Sequence, residues 1–291
     1  MTAQESHQEA KQFTDKYVQA NGLKFHYLDW GSPANPSLVL LHGVGQTCHT
    51  WDLFAAAMSE HFHVMAFDQR GHGDTDWAPD KDYSRASMVK DANAFTDELG
   101  LDRFFLTGMS MGGANSLAFT ANYPDKVEAL VVVDVGPRVE PKGVKHIRDF
   151  MKNYREFDSL DEAAAIIHKF NPRRSLAIIR KYTVVYNLKQ LPSAKWTWKY
   201  DTYFSDGHRQ VDIKQMQDEL SVAVKKIQCP TLLVRGGDSD VFSLDGARDL
   251  QENIHGSEFA LVEKAGHSVM GDNPVGFESA VRGFYQKKGY L

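Results

Sequence analysis

Apolar positions along the chain follow two rhythms that alternate. "LVLLHG", "HVMAFDQRG", "FFLTG", "ALVVVDVG" and "CPTLLVRGG" are short continuous apolar runs, most of them closing on glycine, the pattern of strands buried on both faces. Between them, "TWDLFAAAMSEHF", "SRASMVKDANAFTDELG" and the stretch from Gly112 to Tyr123 show helical spacing, with Ser84 placed to cap the second. After a gap the same alternation returns: a helix around Asp245 to Asn253, "EFALVEKAG" as a strand, and a closing helix from Pro274 to Lys288. Strand and helix in turn imply a mostly parallel, doubly wound α/β sheet. Ahead of it, "KYVQANGLKFHYLDWG" alternates on either side of Asn21-Gly22 and predicts a hairpin.

The rhythm stops between residues 137 and 222, where helical stretches and aromatic residues occur without a buried strand. The expected organisation is a polar tail over residues 1–16, a core over 17–136 and 223–291, and a helical cap inserted over 137–222. A chain of 291 residues is long enough for one large domain with such an insertion. Its composition, 42% hydrophobic and 24% charged, is that of a globular protein, and a net charge of −5 argues against a nucleic-acid partner held by phosphate contacts. No apolar run approaches the ~20 residues that span a bilayer, and the polar start has no signal-peptide core. Cys48 and Cys229 are too few for a disulfide framework. The expectation is a cytoplasmic protein with free thiols, no membrane contact and a monomeric or homodimeric state.

Chemistry concentrates at "GMSMGG". A strand running into a sharp turn and a helix exposes the Ser110 hydroxyl, and the glycines around it are required because Cβ atoms there would strike neighbouring backbone. A serine hydroxyl needs a base, and His267 in "EKAGHSVMGDNP" follows the last apolar run, where a strand delivers a loop to the same sheet edge. The acid comes from "VRGGDSDVFS" or from "VVVDVGP". Asp240 is preferred because the order Ser, Asp, His is that of nucleophile-elbow enzymes, Asp134 is the alternative, and Asp238 is read as capping a turn. Backbone N–H groups of Met111, directly after the serine, and Val44, in "LLHGVGQT", are the expected oxyanion donors. His42 is read as a backbone-bonding residue. His61 and His63 share a strand face but lack a third ligand nearby, so no metal is expected.

The motifs "LLHG", "FDQRGHGDT", "GMSMGG", "GGDSD" and "AGH" occur in an order and spacing that resembles the α/β-hydrolase fold from Tyr17 to Lys288. The resemblance implies an eight-stranded sheet, a Ser110–His267–acid triad and no cofactor. Asp68 and Arg70 then order a loop beside the pocket. Ser110 in place of an aspartate argues against haloalkane dehalogenases and epoxide hydrolases, and in some relatives the acid comes from the strand that here carries Asp134. The expected function is hydrolysis of a carboxylic ester or lactone of a small apolar or aromatic molecule through an acyl-enzyme. The same fold also supports carbon–carbon bond cleavage of a vinylogous diketone acid, perhydrolysis or haloperoxidation as a side activity, and ligand binding without turnover. In the insertion, Trp196, Trp198, Tyr200, Tyr203 and Phe204 are read first as cap core. Lys169, Arg173 and Arg174 are read as solvated surface, with a substrate carboxylate as the alternative.

Overall fold

A computed structural model describes residues 13–206 and 213–291. Eight strands form one sheet: β1 (Thr14–Ala20), β2 (Leu23–Trp30), β3 (Ser37–Leu41), β4 (His63–Phe67), β5 (Phe104–Met109), β6 (Val127–Val133) and, after an insertion, two more. Within that insertion, β7 (Glu156–Phe157), β8 (Leu188–Gln190) and β9 (Trp196–Trp198) pair as a small separate sheet, before β10 (Thr231–Gly236) and β11 (Glu258–Val262) complete the large one. The large sheet runs β1-β2-β4-β3-β5-β6-β10-β11, antiparallel at β1/β2 and β2/β4 and parallel from β4 onward. The expected doubly wound, mostly parallel sheet is therefore present.

The continuous apolar runs are buried because helices cover both sheet faces. On one face, α2 (Arg85–Glu98) and α3 (Met111–Asn122) pack Phe95, Leu117 and Phe119 against Val39, Leu106 and Val132. On the other, α1 (Asp52–Met58) and the helix Pro274–Lys287 pack Phe54, Phe277 and Phe284 against Leu40, Val131 and Val234. Ser84 caps α2 by accepting the Ser87 N–H at 3.2 Å, as its sequence position predicts. The hairpin turns at Asn21 (φ 46°) and Gly22 (φ 77°), the left-handed pair that a two-residue turn requires. β1 starts at Thr14, so the last residues assigned to the tail belong to the hairpin; residues 1–12 of that tail lie outside the described residues.

Residues between β6 and β10 are built on α4 (Pro141–Asn153), α5 (Leu160–Phe170), the helical segment 176–187 and the three short strands. Those strands correct the expectation of an all-helical insertion. Runs of two or three residues carry no periodicity that a sequence pattern can register. The insertion has its own core around Phe157, Ala164, Ile167, Ile179 and Trp198, against which Val44 of the main domain packs. Tyr200 also sits in that core, and Tyr203 packs on the Tyr83 cluster instead. The helix Ile213–Ala223 leans the other way: Leu220 is buried in the core of the large sheet, so this stretch packs with the main domain.

Candidate active site

Ser110 sits between the last residue of β5 and the first of α3, with φ 54° and ψ −116°. That left-handed backbone costs of order 1–3 kcal/mol for a residue with a Cβ and persists only where the surroundings enforce it. Here they do. A Cβ on Gly112 would stand 2.3 Å from Leu41 O, and one on Gly108 would stand 2.4 Å from Gly112 O, so the helix presses onto the strand ends only because both positions are glycine. The tight turn carries the Ser110 hydroxyl out over the sheet edge.

His267 lies in the loop after β11, and both of its ring nitrogens are engaged. Nε2 is 2.9 Å from Ser110 Oγ, and Nδ1 is 2.8 Å from Asp134 Oδ2. A carboxylate can only accept, so Nδ1 carries the proton and Nε2 is left to accept from the serine. Asp134 follows β6 directly, has φ 54°, and is fully buried. A buried carboxylate needs donors on every side. Beyond His267 it has two, the Gly236 N–H at 3.0 Å and the Ser239 hydroxyl at 2.5 Å.

Asp240, the acid preferred from the sequence, is not brought to the imidazole. Its side chain is 55% exposed and faces His146 Nδ1 of α4 at 3.5 Å. The physical reason is the course of the loop after β10: Ser239 turns inward to Asp134, and its neighbours Asp238 and Asp240 consequently turn outward. Asp238 meets Arg173 Nε at 3.2 Å.

A serine, an imidazole and a buried carboxylate in hydrogen-bonded series on a strained elbow are now joined by similarity along the whole chain. The family model of the alpha/beta hydrolase fold matches residues 36–274. The chain belongs to the alpha/beta hydrolase fold family. It is 32% identical over 273 residues to esterase Rv0045c of Mycobacterium tuberculosis, covering 91% of this chain and 87% of that protein. The crystal structure of that esterase aligns with a TM-score of 0.78 at 28% identity, over 98% of this chain and 95% of the esterase. N-formylmaleamate deformylase of Pseudomonas putida is 28% identical over 277 residues, 92% of this chain and 94% of that one.

In this hydrolase the loop after β3 is held by its own polar groups. His42 is buried; its Nδ1–H donates to Gly43 O (2.8 Å) and its Nε2 accepts the Gln69 N–H (3.0 Å), so burial keeps it neutral and lowers its pKa. Gln46 Oε1 accepts the Gly43 N–H at 3.1 Å. Val44, at the tip, reaches the cavity wall beside Ser110 and Met111. Met111 opens α3, so its N–H has no intrahelical acceptor.

Two cavities of the hydrolase meet at Ser110 and His267. The larger, about 560 Å³, runs between α3, α4 and the helix Ile213–Ala223 and is walled by apolar groups such as Met88, Val135, Val139 and Leu220. The smaller, about 250 Å³, runs under the insertion and carries more polar side chains, among them His49, Asn171 and Asn187. Val44, Ile147 and Met151 border both and form the wall between them. Trp198 and Tyr200, read first as cap core, are each buried in the insertion core and also line the smaller cavity. Arg173 and Arg174 reach that cavity too, but each is paired, with Asp238 and with Asp272 (2.9 Å) respectively.

Among the described residues, one buried group has the spacing of metal ligands: His26, Cys48 and Asp68. It is the Asp68 of "FDQRGHG". Its carboxylate already accepts from Cys48 N (2.7 Å), Asp74 N (3.0 Å) and His26 Nδ1 (2.7 Å). Burial alone raises the Asp68 carboxyl, yet these bonds hold it at about 2, which marks a satisfied structural knot. His63, by contrast, bonds Asp29 at 3.0 Å. Both thiols are free. Burial pushes Cys48 well above the usual thiol range and Cys229 up to about 11. At pH 8 about a thousandth of Cys229 is thiolate, so iodoacetamide alkylates it slowly in native protein and leaves Cys48 untouched. Peptide mass spectrometry before and after urea denaturation checks this: full native modification of Cys48 would contradict the burial.

Proposed function

We propose that this hydrolase cleaves carboxylic esters, lactones included, through an acyl-enzyme on Ser110. The observation that carries the reading is the imidazole of His267 bonded at once to Ser110 and to the buried Asp134. Ser110 Oγ attacks the carbonyl carbon while its proton passes to His267 Nε2. Asp134 holds the imidazole in the required tautomer and stabilises the imidazolium that forms. Backbone N–H groups of Val44 and Met111 take the developing oxyanion, each donor worth about 3 kcal/mol in such sites. His267 returns the proton to the leaving alkoxide, then draws one from the water that releases the acid. Residues of the insertion form a cap over the site and shape the substrate, and free thiols suit a reducing cytoplasm.

The acyl arm enters the larger, apolar cavity and the alcohol arm the smaller one. Carbon–carbon cleavage of a diketone acid is less supported in the smaller cavity, because it needs cations for substrate carboxylates and both arginines there are already paired. A p-nitrophenyl ester series from acetate to octanoate tests the assignment. Each methylene buried in the larger cavity contributes up to about 0.8 kcal/mol, so kcat/KM should climb by up to about fourfold per carbon. A profile that is flat or falls from acetate onward would rule out the apolar acyl cavity, and absence of turnover on every ester would remove the esterase reading.

A further inference from the structure

The two residues flanking His267 are both bonded by one ion pair, Asp272 with Arg174, whose arginine reaches across from the insertion. Asp272, in the short helix Val269–Asp272, keeps only 1% of its side chain exposed. Its carboxylate accepts the Gly266 N–H at 3.0 Å, Asn171 Nδ2 at 2.7 Å and Arg174 Nε at 2.9 Å. Arg174 Nη2 in turn donates to Ser268 Oγ and lies 3.4 Å from Ser268 O. Gly266 precedes the imidazole and Ser268 follows it, so the loop is gripped on both sides of the base. From behind, His168 Nδ1–H donates to Arg174 O at 2.8 Å and fixes the arginine within the insertion. On the core side Gln46 Nε2 donates to Ser268 Oγ at 3.3 Å, and the same amide accepts the Gly43 N–H, next to Val44.

A carboxylate buried this deeply is strongly destabilised once its cation is removed. Arg174 thus reaches from the insertion to supply the cation beside Asp272, whose carboxylate in turn holds the Gly266 N–H next to His267. We propose that Arg174 is a positioning residue for His267, through which docking of the insertion and alignment of the base on Ser110 become one event. The inference rests on reading Ser110 as the nucleophile.

Two kinds of variant perturb the grip without a shared defect. Arg174→Gln removes the cation. Gly271→Ala keeps it but places a Cβ 2.0 Å from where Arg174 Nη2 now stands, so the guanidinium has to move aside. Both should lower kcat for a p-nitrophenyl ester, and the rate at which a fluorophosphonate labels Ser110, by about tenfold or more, as a small misplacement of a catalytic group does, with KM within about threefold of wild type. Arg174→Lys should fall between, because an ammonium restores the charge but not the forked contacts. Arg248→Gln, an exposed side chain that lines neither cavity, should match wild type. The inference is overturned if Arg174→Gln and Gly271→Ala keep kcat and labelling rate within about twofold, or if their losses merely follow the fraction unfolded in thermal melts. If wild type itself resists labelling at Ser110, the esterase reading fails together with it; if wild type labels and the variants label equally fast, only the positioning role of Arg174 fails.

Discussion

Ser110→Ala should lower kcat on p-nitrophenyl esters by about 10⁶-fold, the scale seen when the nucleophile of a serine–histidine–aspartate unit is removed, and leave only oxyanion-type rate enhancement over water. The effect is chemical and not structural. Alanine keeps the Cβ that already occupies the strained elbow at φ 54°, and Ser110 N still donates to Val133 O at 3.0 Å. The thermal midpoint should therefore stay close to wild type while turnover vanishes. Steady-state kinetics and a thermal melt on the same preparation give both readings. A variant that keeps a tenth of wild-type turnover would place the reaction elsewhere in the cavity.

Asp134→Asn should cost about 10⁴-fold in kcat. The asparagine amide that replaces the carboxylate donates to Nδ1, which shifts the imidazole proton to Nε2, and the ring then has no lone pair for the serine proton. It also leaves the Gly236 N–H and Ser239 hydroxyl facing a neutral group at a fully buried position. Asp240→Asn, by contrast, alters an exposed group facing His146 and should keep kcat within about twofold, as surface ion pairs contribute little. Measured side by side, the two variants decide between the acids. Equal losses, or the greater loss at Asp240, would contradict the assignment drawn from the geometry.

The sheet was legible because its signal is repeated: five apolar runs ending at glycine or close to it, each between helical stretches, leave few ways to pair. Ser110 and His267 could be found because each sits at the end of such a run, where the chain has to turn at the same edge of the sheet. The acid was harder. Asp134 and Asp240 both follow strands at that edge, and order along the chain favours Asp240. Which side chain turns inward is set by the loop after β10, where one residue of offset sends Ser239 to the site and Asp240 away from it. One local sign did point to Asp134: it is the single charge within "ALVVVDVG", on a strand where a buried carboxylate needs dedicated donors. In the insertion, the arginines of "PRRS" could be noticed but not aimed. Their partners Asp238 and Asp272 are 65 and 98 residues away along the chain, a separation that no local pattern spans. The three short strands of the insertion left no periodic trace for the same reason of length.

The central claim is that Ser110 carries the acyl group during turnover. Its most direct test is to quench the wild-type protein in acid during hydrolysis of a slowly deacylating ester and map the adduct by peptide mass spectrometry. The acyl mass should appear on the peptide containing Ser110 and be absent from Ser110→Ala. Sustained turnover with no acylated Ser110, or the acyl group on another residue, would contradict it.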